Sequence, residues 1–87
     1  MKIYAKPIEM ISYTKLNGEI NPIRFRLQLE DESVKVIKVE KVLIRDIEKL
    51  AGNNMMIFKC KSIINNVEKL FEIKYELNTC KWMFFKM

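Results

Sequence analysis

Apolar and charged residues alternate along several segments of this chain, most clearly near its C-terminal end. From Phe71 to Leu77, apolar residues occupy the odd positions and charged residues the even ones. A period of two places the apolar side chains on one face of a strand and the charges on the other. The run from Cys80 to Lys86 also favours a strand. Together the two runs predict a hairpin.

The same period predicts strands further upstream. Residues 3–15 form one extended segment, in which Pro7 indicates an edge or a bulge. Apolar residues from Ile23 to Leu29 alternate with arginines and a glutamine, and Met55 to Ile64 is a further strand. Turns between these strands are predicted at Asn17–Gly18, at the acidic stretch Glu30–Ser33 and at Asn65–Asn66.

The central segment is less clearly patterned. Val34 to Arg45 is rich in valine and isoleucine with a shift of parity after Val36, which predicts a long strand with a bulge or bend. A helix is the alternative, because Val39, Leu43, Ile47 and Leu50 lie near helical spacing. We favour a strand to about Arg45, then a short helical turn near residues 46–51 or a loop ending at 52–54.

These elements predict a single all-β domain over residues 1–87. Five or six strands joined by short turns follow one another in near sequential order, which is an antiparallel meander. Such a meander closes into a small barrel or half-barrel, because closure removes exposed strand edges. The composition agrees with a globular chain: 49% of residues are hydrophobic, 31% are charged, and there are only two glycines and two prolines.

The chemistry of the side chains argues against catalysis and metal binding. There is no histidine, and the spacing of Cys60 and Cys80 matches no zinc site. Both cysteines lie in apolar runs, so we expect buried free thiols. Glu30, Asp31 and Glu32 form the one carboxylate cluster, which we interpret as a solvated turn. We therefore predict a protein that is not an enzyme and has no catalytic residue, cofactor or metal.

Location and membrane contact follow from the apolar runs. Residues 1–10 have no continuous apolar core of the kind a signal peptide needs, and no run approaches 18 apolar residues. We expect a soluble cytoplasmic protein with no membrane contact and reduced cysteines.

The formal net charge is +5. Genome composition explains a lysine-rich chain as readily as an anionic partner does. The solvent-facing sides of two predicted strands carry basic side chains that could bind successive phosphates of a nucleic acid. Its bases would stack on nearby aromatic rings. These nucleic-acid candidates are Arg24, Arg26, Lys59 and Lys61, and the available rings are Tyr4, Tyr13, Tyr75 and Trp82.

The last strand is apolar on both faces. One face belongs to the core, and the second needs cover from another part of the chain or from another chain. The candidates for a contact with a protein partner or a second copy are Trp82, Met83, Phe84 and Phe85. Our leading hypothesis is accordingly a noncatalytic binding or protein-interaction module, and the alternative is a β-barrel that binds single-stranded nucleic acid.

Several segments also resemble a group of small uncharacterised all-β proteins of clostridia and other low-GC bacteria. The resemblance covers most of the chain and rests on Pro22–Phe25, the valine-rich strand, Leu50–Asn53 with Cys60, Phe71–Leu77 and Lys81–Trp82. It implies a compact barrel-like fold and a bacterial cytosolic origin, and it brings no activity and no functional residue with it.

Overall fold

Seven antiparallel strands form one curled sheet in the computed structural model, which describes residues 1–87. The all-β half-barrel is confirmed, with seven strands instead of five or six. The structure contains no helix that could cross a membrane. The strands are β1 (Ile3–Thr14), β2 (Ile20–Gln28), β3 (Val34–Lys38), β4 (Lys41–Leu50), β5 (Asn53–Ile64), β6 (Val67–Glu76) and β7 (Lys81–Lys86).

The strand order departs from a simple meander. It runs β3-β2-β1-β7-β6-β5-β4, so two meanders of consecutive strands are joined where β1 pairs with β7. The two ends of the chain meet at this junction, because the amides and carbonyls of Lys2 and Met87 exchange hydrogen bonds of 2.9 and 3.1 Å. Near Pro7, the predicted bulge is present between Ile3 and Lys6, but β1 is an interior strand and not an edge.

The half-barrel closes through the segment that joins β3 to β4. The amide of Val39 donates to the carbonyl of Ile23 in β2, and the amide of Glu40 donates to the carbonyl of Lys61 in β5. The hydroxyl of Ser62 also donates to the carbonyl of Lys38. Residues 38–41, which we call the seam, therefore connect the two sides of the sheet. The prediction of one long strand in the valine-rich segment is wrong: the chain breaks at Val39–Glu40 into β3 and β4, which lie at opposite ends of the strand order.

A second bridge lies further along β4. The guanidinium of Arg45 donates to the carbonyl of Ile20 at 2.7 Å and to the side chain of Asn21, so it joins β4 to the start of β2. The same guanidinium lies 5.4 Å from the centre of the Phe58 ring. Arg45 thus bridges β4 and β2, and its guanidinium lies beside the buried ring of Phe58.

Aromatic rings fill the centre of the half-barrel. The ring of Phe84 has the rings of Tyr4, Phe25 and Phe71 at centroid distances of 5.4, 5.8 and 6.1 Å. These distances are typical of favourable aromatic pairs. The alternating residues of five strands converge on this cluster, and the buried hydrophobic residues are Phe25, Leu27, Ile37, Val39, Phe58, Cys60, Phe71, Ile73, Trp82 and Phe84.

The helical turn expected near residues 46–51 is wrong. β4 continues to Leu50 and pairs with β5 in an unbroken register from Ile44 to Leu50. Ala51 and Gly52 then adopt φ angles of 49° and 81°. Two consecutive residues with positive φ make the tight turn whose twist matches a β-hairpin, so the helical spacing of apolar residues in β4 does not reflect a helix.

The two cysteines differ in their surroundings. Cys60 is buried, as expected, and its burial raises the pKa of the thiol to about 12. Cys80 is exposed, in the turn before β7, with a φ of 59°. The prediction of a buried thiol in a strand is therefore wrong for Cys80, because the strand begins one residue later.

We expect iodoacetamide to modify one thiol of the folded protein and two of the unfolded protein, because the thiolate is the reactive form. At mildly alkaline pH the Cys60 thiol, with a pKa near 12, stays protonated and inaccessible. Mass spectrometry after brief labelling, with and without urea, counts the modified thiols. Cys60 labelled as fast as Cys80 in the folded protein would contradict this burial.

The raised pKa of Cys60 also predicts how the free energy of unfolding changes with pH. The thiol has its ordinary pKa near 9 in the unfolded chain and about 12 in the folded one. Between these values the unfolded chain releases the proton first, so stability that is fully present below about pH 9 is lost as the pH rises.

Candidate nucleic-acid interface

Arg24 and Arg26 lie on the outer face of β2 because Phe25 and Leu27 take the inner face. In the register, Arg24 is opposite Lys38 of β3 on one side and Ile11 of β1 on the other. Arg26 is opposite Val36 and Glu9. The outer face of β1–β3 thus carries both arginines, as the alternation predicts.

Lys59 and Lys61 lie on the outer face of β5 for the same reason. Phe58, Cys60 and Ser62 point into the core, which leaves the lysines outside. Lys61 is opposite Lys41 of β4, and Lys59 is opposite Glu72 of β6.

The seam brings these two pairs of basic residues to one side of the molecule. Along the strand order, β2 and β5 are separated by three strands, but across the seam only residues 38–41 lie between them. Lys38 faces Arg24 and Lys41 faces Lys61, so two further lysines extend the row. We call this row the basic surface, and it consists of Arg24, Arg26, Lys38, Lys41, Lys59 and Lys61.

Acidic side chains neutralise only part of the basic surface. Lys61 Nζ lies 3.0 Å from Glu68 Oε1, and Lys38 Nζ lies 4.0 Å from Glu40 Oε1. The other four cations of the basic surface take part in none of the four salt bridges of the structure. Their charges are available to an anionic partner.

Of the four rings expected to stack on bases, only Tyr13 lies on the outer side with the basic surface. Its side chain is 56% exposed, and it follows Ile11 on the outer side of β1. Tyr4, Tyr75 and Trp82 pack against the core, where Tyr75 and Trp82 have ring centroids 4.8 Å apart. Beside the arginines, a groove of about 450 Å³ runs between Glu9, Ile11 and Val36.

The contact residues expected on β7 lie elsewhere. Trp82 and Phe84 are core residues with 8% and 0% exposure, so their assignment to an interface is wrong. β7 also has β1 on one side and β6 on the other, which leaves no free edge for a second chain. Met83 and Phe85 occupy the outer face and are half-buried.

A lysine of the neighbouring strand covers part of that outer face. Lys74 Nζ lies 3.6 Å from the centre of the Phe85 ring and 3.5 Å from Glu48 Oε2. The Lys74 side chain is itself buried, which is unusual for a lysine on the outside of a sheet. Part of the apolar outer face of β7 is therefore covered by a side chain of the same protein.

The acidic turn between β2 and β3 is solvated, as expected. Glu30, Asp31 and Glu32 are all exposed, and hydrogen bonds from Ser33 lower the pKa of Asp31. No group of three acidic or cysteine side chains is placed to hold a metal ion.

Fold and surface together define a small antiparallel β half-barrel with one basic outer side. In comparisons with known proteins, no family model, curated protein or solved structure matches the chain. The resemblance to small clostridial proteins stays a prediction.

Proposed function

We propose that this protein is a noncatalytic binding module that holds a single-stranded nucleic acid along its basic surface. The observation that carries the proposal is the seam, whose backbone hydrogen bonds link β2 to β5, the two strands with the basic outer residues. A row of cations neutralises successive phosphates, and an adjacent exposed ring stacks a base without selecting its sequence.

The basic surface and Tyr13 divide these two tasks between them. Arg24 and Arg26 lie outside every salt bridge, so a phosphate can bind them without displacing a carboxylate. Tyr13 and Ile11 offer an apolar platform beside Arg24 on the neighbouring strand.

The test is the binding of a fluorescently labelled, mixed-sequence single-stranded oligonucleotide, measured by anisotropy at several salt concentrations. Each phosphate contact is expected to contribute about 0.7 to the slope of log affinity against log salt. Arg24→Ala should lower this slope by about that amount. Tyr13→Ala should weaken binding about fivefold or more with an unchanged slope, because stacking releases no counterions.

Lys49→Ala is the matched control, since it removes one exposed positive charge from the same strand as Lys41. The two lysines are eight residues apart in β4, about 26 Å along the strand. The control should retain the slope of the unaltered protein. The proposal fails if the oligonucleotide does not bind, or if Arg24→Ala and Lys49→Ala change the slope equally.

A protein partner remains the second prediction, although the structure gives it less support on β7. Met83 and Phe85 are the two remaining candidates on the outer face. Light scattering on the same samples measures the mass of the protein in solution. A dimer that Phe85→Asp converts to a monomer without loss of β structure would support a protein contact on the outer face of β7.

A further inference from the structure

A cavity lies at one end of the junction between β1 and β7. Ile8 and Trp82 form the last pair in the register between β1 and β7, and beyond this pair the two strands separate. A cavity of about 540 Å³ opens between residues 10–14 of β1 and the start of β7. We call it the mouth cavity. Its volume lies within the range of small-molecule sites, which often occupy the mouths of β-barrels.

The floor of the mouth cavity is apolar and partly aromatic. Met10, Ile20, Tyr75 and Trp82 line it, and the two rings lie 4.8 Å apart with an angle of 49° between their planes. Trp82 is held in turn by the ring of Phe58 at 5.4 Å. Rings fixed by the core in this way offer a preformed surface for a flat apolar ligand.

The rim of the mouth cavity is polar. The hydroxyl groups of Ser12 and Thr14 come from β1, and the ammonium of Lys81 comes from the first residue of β7. The neighbouring Cys80 side chain, together with burial, raises the pKa of the Tyr75 hydroxyl.

Lys81 is the one cation at the rim, and it is free to bind an anion. It takes part in none of the salt bridges. The Glu76 carboxylate lies opposite Lys81 in the register and accepts hydrogen bonds from Thr79 and, at 3.0 Å, from Asn53. These bonds, with a smaller contribution from the charge of Lys81, lower the pKa of Glu76. A ligand carboxylate at the rim shares the Lys81 ammonium with Glu76, which forms no salt bridge with it.

From this arrangement we infer that the mouth cavity binds a small planar aromatic acid. The aromatic body lies on the floor against Tyr75 and Trp82, and its carboxylate faces Lys81 at the rim. The hydroxyls of Ser12 and Thr14 bind its other polar substituents. This site is separate from the basic surface, so either can fail a test without affecting the other.

The experiment compares naphthoate with its neutral analogue naphthylmethanol by following amide chemical shifts in NMR titrations. Naphthoate should shift the resonances of residues 10–14, 75 and 80–82, and it should bind about tenfold more tightly than the alcohol because of the charge-assisted contact with Lys81. In Lys81→Met, naphthoate should bind only as tightly as the alcohol.

Lys49→Met is the control for the loss of one positive charge, and it should keep the tenfold preference. The spectra of the free variants verify that each is folded, which is expected since Lys81 and Lys49 are both exposed. Equal affinity for the two probes would overturn the role of Lys81. Shifts confined to the basic surface, or the absence of any shift, would overturn the site itself.

Discussion

Replacing Phe84 by alanine is expected to lower the free energy of unfolding by about 3–5 kcal/mol. The Phe84 side chain has no solvent exposure and contacts three other aromatic rings, so the substitution leaves a cavity at the centre of the core. A domain of 87 residues has a total stability of only about 4–13 kcal/mol. The loss is at least about a quarter of the total stability, and at the lower end of the range it is enough to unfold the variant at room temperature.

The next residue provides a matched control. Phe85 has the same side chain on the opposite face of β7, where it is half-buried beneath the ammonium of Lys74. Phe85→Ala should therefore cost about 1–2 kcal/mol, from partial burial and the cation–π contact. Urea denaturation followed by circular dichroism measures both variants. A larger loss for Phe85→Ala than for Phe84→Ala would show that the two faces of β7 are assigned the wrong way round.

Replacing Ser62 by alanine should cost about 2 kcal/mol, although the change removes a single oxygen atom. The hydroxyl is 2% exposed and donates to the carbonyl of Lys38 in the seam. Without it, that carbonyl loses its partner in a region with little access for water. Urea denaturation measures this loss in the free energy of unfolding. The dependence of that free energy on urea concentration shows whether the seam opens before the rest of the sheet.

Ser12→Ala is the control for this substitution, because Ser12 is an exposed serine in a strand. It should change the stability by less than about 0.5 kcal/mol. If Ser62→Ala is equally mild, the closure of the half-barrel rests on the backbone hydrogen bonds of Val39 and Glu40 and not on the serine.

The alternation of residues was sufficient to predict strands that have one dry face. β2 buries Phe25 and Leu27 and exposes the arginines between them, and in β6 the apolar Phe71 and Ile73 belong to the core, so both strands carry the period of two. In β6 the charged residues between them, Glu72 and Lys74, are buried as well, which the alternation does not predict. The turn at Asn65–Asn66 was also predicted, because asparagine tolerates the positive φ angles of a tight hairpin, and both residues adopt them.

β4 could not be predicted in the same way. It is an edge strand, and Leu43, Ile44, Ile47 and Leu50 are all exposed, so neither parity carries a consistent apolar face. What makes residues 46–50 a strand is the pairing with β5, a contact that no local pattern encodes. The helical spacing of its apolar residues is incidental.

The candidate site was predicted only in parts. Alternation placed Arg24, Arg26, Lys59 and Lys61 on outer faces, and each is there. The link between the two pairs depends on the seam, which also adds Lys38 and Lys41 and which no local pattern of residues predicts. The free edge expected on β7 was missed for a related reason: the pairing of β1 with β7 turns that strand into an interior one.

That pairing has a consequence for how the chain folds as it leaves the ribosome. β1, β2 and β3 can form hairpins early, but the open side of β1 has no partner until β7, the last of the seven strands, has been synthesised. Contacts between residues so distant in sequence slow folding, and an unpaired strand edge is prone to aggregation in the meantime. The nascent chain therefore carries this unpaired edge while the strands from β2 to β6 are synthesised.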